Sequence, residues 1–213
     1  MNRPALLFVL ALAPLAAHAA PAKTPADTAP APRKSPAKTL SKSGKTDPNS
    51  VAARVDKLWK LSDKAFHDGD YPKAIAYHRQ IVKLAPDDTE SYGNGAWLLW
   101  SLGKRADADA FIAQGLKANP KLADMWETAG DHYMLERAWP RSKAAYSKAI
   151  ALNGSKAPEM LRRRLAHAAE HAGDMDLARA TWQALVRDFP NNQVNKNNLA
   201  RINTIRTGPT KAV

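Results

Sequence analysis

The sequence predicts an all-α fold, a solenoid built from repeated pairs of helices. Within residues 58–88, apolar residues recur at helical spacing on either side of a short turn, with Gly69 in the turn and Pro86 at the end. The same order of small, bulky and turn-forming residues then recurs at intervals of 34 residues. A fixed period of this length indicates a stacked array of helical units.

The first unit carries the landmarks that assign a role to each segment. In chain order they are Leu58, Leu61, Ser62, Ala65, Gly69, Tyr71, Ala74 and Pro86. This order resembles the tetratricopeptide repeat, a helix-turn-helix unit of 34 residues. The resemblance implies a right-handed superhelix in which the first helix of every unit lines a concave groove.

The 34-residue register predicts four units and a closing helix. The units are residues 55–88, 89–122, 123–156 and 159–192, so Ala157 and Pro158 form an insertion between the last two. Residues 193–206 are predicted to form a capping helix, because an open-ended array needs a polar-backed end. The capping-helix residues expected to face inward are Val194, Leu199, Ile202 and Ile205, and residues 207–213 are expected to be a flexible tail.

Small residues and turn glycines recur where the register requires them. Gly69, Gly103 and Gly173 lie at the turn inside a unit, whereas Arg137 takes that place in the third unit. Ser142 stands where the other units have alanine. The small residues expected at helix crossings are Ala65, Ala74, Ala108, Ala149 and Ala178. The bulky residues expected to fill the space between helix pairs are Tyr71, Trp139, Tyr146 and Trp182.

The N-terminal part of the chain is predicted to lie outside the repeats. Residues 1–19 are interpreted as a secretory signal peptide, with Arg3 before an apolar stretch and a small-x-small cleavage site at residues 17–19. Residues 20–50 are rich in Pro, Ala and Lys and contain no aromatic residue, so a disordered linker is predicted. The linker is interpreted either as a tether for anionic envelope polymers or as a solubilising spacer.

Two residues before the first repeat predict where the first helix begins. Asp47 is predicted to be the N-cap and Pro48 the first helical residue.

The sequence has no cysteine, which excludes disulfides, thiol catalysis and an N-terminal lipid-modified cysteine. A periplasmic or secreted protein without a membrane span after signal cleavage is therefore predicted.

The formal net charge of +12 is spread over the chain. Of the 32 basic and 20 acidic side chains, Arg3 and residues 20–50 hold seven and two, which leaves 25 and 18 in residues 51–213. These basic residues do not form a stripe with interleaved aromatic residues, so no nucleic-acid partner is predicted. No cofactor is predicted either.

One motif could carry chemistry. His167, Glu170 and His171 match H-x-x-E-H, in which two histidines one helical turn apart bind zinc and the glutamate acts as a base. A peptidase of this type needs a third protein ligand, usually a later glutamate, and no glutamate follows Glu170. The chain is therefore predicted not to be an enzyme, and a zinc-dependent hydrolase stays an alternative hypothesis.

The resemblance also implies which residues face a partner. The groove positions are the second, fifth, ninth, twelfth and thirteenth of each unit. The predicted partner-binding residues are Trp59, Asp63, Phe66, Glu90, Trp97, Trp100, Glu127, Asp131, Met134 and Arg163. Aromatic anchors with a polar surround are typical of binding hot spots. The sequence does not decide between this groove and a core or self-filled role for the three tryptophans Trp59, Trp97 and Trp100.

The charge at these positions predicts the kind of partner. The acids at groove positions of the first three units are Asp56, Asp63, Glu90, Asp124, Glu127 and Asp131, with no Lys or Arg among those positions. A basic or apolar protein segment is therefore the expected partner. A carboxylate clamp for acidic C-termini is not expected, since only Asn94 fits it and Trp59, Asp63, Asp124 and Thr128 replace its other members. The leading hypothesis is an adaptor, and the alternative is a self-assembling homo-oligomeric unit.

Overall fold

The computed structural model describes Asp47 and residues 49–205, which contain nine α-helices, one short 3-10 helix and no β-strand. The helices are α1 (Val51–His67), α2 (Tyr71–Leu84), α3 (Thr89–Ser101), α4 (Arg105–Ala118), α5 (Ala123–Leu135), α6 (Trp139–Asn153), α7 (Glu159–His171), α8 (Met175–Asp188) and α9 (Gln193–Thr204). The 3-10 helix, Gly154–Lys156, lies between α6 and α7. The prediction of an all-α fold is confirmed.

The helices pack as a stack of neighbouring pairs. Each helix contacts the next one along the chain, α3 also packs directly on α5, and α9 covers the end of the stack by packing on α8. Within the described range, no helix is both long and apolar enough to span a bilayer. The predicted signal peptide, nearly all of the linker, Pro48 and the predicted tail lie outside the described residues.

The four turns inside the pairs share one hydrogen-bonding pattern. In the first pair the amide of Gly69 donates to the carbonyl of Phe66 at 3.1 Å, and that of Asp70 donates to Ala65 at 2.8 Å. This pattern places one residue in the left-handed region. Glycine occupies that position in three turns, and Arg137 occupies it in the third pair with φ of 58°. The substitution at Arg137 therefore leaves the turn intact.

The helix crossings are lined by small buried residues, as the register predicts. All five predicted alanines are buried, and so is Ser142. The hydroxyl of Ser142 donates to the carbonyl of Gly130 at 2.9 Å, which satisfies a polar group that replaces alanine at the crossing. A Cβ atom on Gly130 would collide with the ring of Tyr146. The third pair thus keeps the close crossing by a different pair of small residues.

The two glycines inside α3 also serve helix packing. A Cβ atom on Gly95 would lie 2.5 Å from the ring of Phe111 on α4. A Cβ atom on Gly93 would lie 3.1 Å from the methyl group of Thr128 on α5. These glycines therefore let α3 approach two neighbouring helices, and this approach offsets their low helix propensity.

The structure corrects the predicted start of the first helix. Ser50 is the N-cap of α1, and its hydroxyl accepts a hydrogen bond from the amide of Ala53 at 3.1 Å. Asp47 instead begins the preceding turn, where its carbonyl accepts from the amide of Ser50. Both residues are good caps, and Ser50, which directly precedes α1, performs this role.

The inward face of the capping helix also differs from the prediction. Ile202 is fully buried and Leu199 packs beside it, but Val194 and Ile205 are exposed. Asn195 is buried instead, and its side-chain amide donates to the carboxylate of Glu159 at 2.8 Å. Because a polar contact fixes the start of α9, the helix turns a different face inward than hydrophobicity alone predicts.

The turn geometry makes a testable prediction at Arg137. Replacing Arg137 by glycine should stabilise the protein by about 0.5–1 kcal/mol, because the left-handed penalty exceeds the extra freedom of glycine in the unfolded chain. Denaturant unfolding followed by circular dichroism measures the change.

The matched control is Gly103→Ala, at a turn where φ is 75° and no atom lies within 4 Å of an added Cβ. This variant should be destabilised by about 1 kcal/mol through the backbone alone. A lower unfolding midpoint for Arg137→Gly would contradict the argument.

Candidate partner-binding groove

Trp59 connects the first helix pair to the second. Its indole N–H donates to a carboxylate oxygen of Asp88 at 3.0 Å, and its ring packs edge-on against His78 with centroids 5.1 Å apart. The other oxygen of Asp88 caps α3 by accepting from the amide of Ser91 at 2.9 Å. Trp59 is half-buried, and its role in partner binding stays a prediction.

His78 is the buried centre of this contact. Its Nε2 lies 2.9 Å from the hydroxyl of Ser62, and its Nδ1 lies 3.4 Å from the hydroxyl of Ser91. Burial lowers the pKa of His78 from 6.5 to about 4. The imidazole is therefore neutral at pH 7 and joins three helices through neutral hydrogen bonds.

Four half-buried aromatic side chains on α1, α2 and α3 pack against one core cluster and are here named the aromatic wall: Phe66, Tyr71, Trp97 and Trp100. Phe66 stacks on Tyr71 at 5.7 Å and contacts Trp97 at 6.1 Å. All four pack against the first core cluster. Trp97 and Trp100 are half-buried because they pack against the core, and their role in partner binding stays a prediction.

The acids predicted on α1 do face solvent. The side chain of Asp63 is 73% exposed, and one of its oxygens lies 3.6 Å from Nε2 of His67. Asp56 is paired with Lys60 one turn away at 2.8 Å, also at the surface. Glu90 on α3 is half-buried and Asp124 on α5 is exposed. Exposed carboxylates therefore lie on α1, which carries part of the aromatic wall, and on α5.

The acids of the third pair are bound by side chains of other helices. Arg164 on α7 binds the carboxylate of Glu127, and its Nη1 lies 3.3 Å from an oxygen of Asp131. The hydroxyl of Tyr146 donates to the other oxygen of Asp131 at 2.6 Å. Burial, together with the charge of Asp131, raises the pKa of Tyr146. The sequence predicts an acidic groove here, but Arg164 from the next pair binds these two carboxylates.

The two remaining predicted groove residues are also partly enclosed. Met134 is half-buried and packs against the core cluster shared by α6 and α7. Arg163 is half-buried on α7, and its Nε atom is covered without a hydrogen-bond partner. The structure therefore brings Phe66 and Trp97 into direct contact, whereas Met134 and Arg163 belong to the other half of the array.

The side chains of the H-x-x-E-H motif contact neighbouring helices, and His167 and Glu170 both contact Trp182. The carboxylate of Glu170 accepts from the indole of Trp182 at 2.7 Å and from Arg201 at 2.7 Å. His171 stacks on Trp139 with centroids 4.4 Å apart. His167 lies edge-on to Trp182, and burial lowers its pKa. Glu170 therefore closes the array by binding α8 and α9.

A different group brings three metal-ligating side chains together. Asp109 on α4, His132 on α5 and Glu136 at the C-cap of α5 each offer one ligand atom, and these atoms lie within 4.8 Å of one another. It is the one such group found among the described residues. The only sequence signal is the four-residue spacing from His132 to Glu136, because Asp109 comes from another helix.

Comparisons with known proteins agree with this architecture. Residues 65–129 match the family model described as tetratricopeptide repeat. MamA from Desulfovibrio magneticus RS-1 is similar over 72% of this chain and 86% of that chain, with 15% identity and a TM-score of 0.56. PilF of Pseudomonas aeruginosa is similar over 71% and 68%, with 12% identity and a TM-score of 0.55.

A third similar structure is TTC0263, a thermophilic TPR protein of Thermus thermophilus, with 18% identity, a TM-score of 0.53 and coverage of 75% and 84%. A search of curated proteins found no match. The fold and its matches define a class, the solenoids of stacked helix pairs. Within that class the fold is a tetratricopeptide-repeat superhelix, residues 65–129 match the repeat model, and this fold suggests a protein-interaction scaffold.

The burial of His78 predicts a dependence of stability on pH. The unfolded chain takes up a proton at this residue near pH 6.5, whereas the folded chain resists protonation down to about pH 4. The stability contributed by neutral His78 is therefore present above pH 6.5 and lost as the pH falls to 4, by about 3 kcal/mol at most.

Urea unfolding at pH 7 and pH 4.5 measures this loss. The variant His78→Gln keeps a polar side chain without a titrating group, so its free energy of unfolding should fall less between the two pH values. An equal fall in the parent and the variant would assign the pH dependence to other groups.

Proposed function

We propose that this protein is a non-enzymatic scaffold of the bacterial periplasm or of the secreted fraction, and that it binds a segment of another protein on its inner face. The observation that carries the proposal is the aromatic wall. Phe66 and Trp97 belong to different helix pairs yet touch, with part of each ring open to solvent. A contiguous patch of half-open aromatic side chains is typical of an interaction site.

The charges beside this wall favour a segment that carries Lys or Arg together with apolar residues. Asp63 is exposed on α1 and Asp124 is exposed on α5, next to the helix that carries Trp97 and Trp100. Glu127 and Asp131 already bind Arg164. The binding surface is therefore centred on the first two pairs, and the third and fourth pairs contribute shape rather than net negative charge.

The location rests on the composition of residues 1–19, and the absence of catalysis rests on the occupied state of Glu170. A photoactivatable amino acid in place of Asp63, introduced in intact cells, tests the binding face. The control places the same amino acid at Asp176, which is 94% exposed on α8. Adducts should form at position 63 and be absent at 176. Equal adducts at both positions, or none at 63, would contradict the proposed face.

Charge reversal tests the chemistry of the captured segment. Asp63→Lys should slow association with that segment by about 3- to 10-fold at low salt, and the difference should fade as salt is added. Asp176→Lys carries the same charge change on the other helix layer and should leave the rate unchanged. Stopped-flow measurements at two salt concentrations compare the two variants.

Truncation of the wall tests its share of the affinity. Trp97→Ala should weaken binding by about 2 kcal/mol. Because Trp97 is half-buried against the core, the variant also loses stability, so affinity is measured by calorimetry at a temperature where circular dichroism shows it folded. Unchanged affinity in the folded variant would place the binding site elsewhere.

Self-association through the C-terminal end is a second candidate function. Met160 on α7 and Val194 on α9 are exposed, and Glu159 binds Asn195, which brings the starts of these helices together. An apolar end of this kind suits a second copy of the chain. Mass measurement over a range of concentrations, with Met160→Lys as the variant, separates this candidate from the scaffold that binds another protein.

A further inference from the structure

A second group of chemistry-bearing side chains lies away from the aromatic wall, at the junction of the second and third helix pairs. Nε2 of His132 lies 3.1 Å from Oδ1 of Asp109 and 4.0 Å from Oε2 of Glu136. Asp109 comes from α4, His132 from α5, and Glu136 from the residue that caps α5. One imidazole nitrogen therefore faces two carboxylates contributed by both pairs.

The burial of this group separates it from ordinary surface charges. The side chain of His132 is 3% exposed and that of Glu136 is 12% exposed. Oε1 of Glu136 is covered and has no hydrogen-bond partner. A buried carboxylate without compensation is costly, and it is retained in proteins when a proton, a cation or a donor balances it.

We propose that Asp109, His132 and Glu136 bind a divalent transition-metal ion of the zinc class. One imidazole and two carboxylates form a ligand set that zinc accepts, with water in the fourth position. Ligands about 2.1 Å from a tetrahedral ion lie about 3.4 Å from one another. The two separations from His132 are 3.1 and 4.0 Å and all three ligand atoms lie within 4.8 Å of one another, so side-chain rotations that draw them together would complete the site.

The surroundings orient the ligands. Nη1 of Arg141 lies 3.2 Å from Oδ2 of Asp109, and its guanidinium group stacks over the ring of Tyr133 at 4.0 Å. Nη2 of Arg141 also donates to Oδ1 at 3.4 Å, so Arg141 binds both oxygens of Asp109 and fixes the carboxylate beside His132. Such outer contacts position ligating carboxylates in known metal sites. The ring of His132 is packed against Tyr133, with centroids 5.7 Å apart.

The bound ion would act as a bridge between helix pairs. In a solenoid each unit contacts only its neighbours, so stability depends on the interfaces between units. A metal held by α4 and α5 adds a strong contact to one interface. The proposed site is structural, because all three ligands are partly or fully enclosed, and it is independent of the proposed partner groove.

A hydrogen bond from the Nε2–H of His132 to Oδ1 of Asp109 is the competing arrangement, and it needs no metal. The two arrangements differ in their response to zinc, because a metal site gains stability from the ion, whereas the hydrogen-bonded pair gains none.

The test uses the tag-free protein after treatment with a chelator. Zinc chloride is titrated by calorimetry at pH 7.5, and thermal unfolding is followed with and without zinc. One ion should bind per chain, and the unfolding temperature should rise. Glu136→Gln keeps the shape of the side chain and should weaken binding at least about tenfold, since the loss of outer contacts alone costs about 10- to 100-fold.

The matched control removes the other histidines with metal-like spacing. The double variant His167→Gln, His171→Gln should bind zinc as the parent does. If Glu136→Gln does not fold by circular dichroism, Asp109→Asn takes its place, because Asp109 is nearer the surface. No stabilisation of the parent by zinc would overturn the proposal. So would binding that survives both Glu136→Gln and Asp109→Asn, or binding lost only in the double-histidine variant.

Discussion

The close crossing of the two helices in each pair is the constraint on which the rest of the structure depends. The residues at this crossing are Ser62, Ala74, Ala96, Ala108, Gly130, Ser142, Ala166 and Ala178, and all of them are buried. Where serine replaces alanine its hydroxyl donates to a carbonyl of the partner helix, as Ser142 does to Gly130 at 2.9 Å. Since small residues bring the backbones together, the bulky residues are left to fill the space between successive pairs.

This constraint explains why the fold can be predicted from the sequence and why the groove contacts are harder to predict. The 34-residue period fixes which backbone positions cross, so the pairs, the turns and even the turn at Arg137 follow from it. The period does not fix which neighbouring residues a large side chain contacts. Trp59 reaches Asp88 of the next pair through its indole N–H, and no register position reveals that contact. The same freedom lets Arg164, at a position outside the expected groove set, reach the carboxylates of the third pair.

The two halves of the array therefore differ in whether their acidic side chains are exposed or paired with arginine. On α1, Asp63 remains exposed, so its field acts on whatever approaches the aromatic wall. Between α5 and α7, Arg164 binds the carboxylates of Glu127 and Asp131, so acidic residues there hold one helix pair to the next. A count of acids along the inner helices cannot separate these roles, because the separation depends on which cation lies within reach in three dimensions.

The third pair shows why the contacts between pairs matter most. The N-cap residues of α5 and α6 make no side-chain capping bond, and the turn between the helices holds a strained arginine. A missing cap costs about 1 kcal/mol each, so this pair loses local stability at both of its helix starts. Its neighbours compensate from both sides. Asp109 of the second pair binds His132 and Arg141, while Arg164 of the fourth pair binds Glu127. In a nearest-neighbour array such polar bridges carry a larger share of stability where the intrinsic terms are smallest. The polar bridges on the two sides of the third pair are therefore a property of the fold.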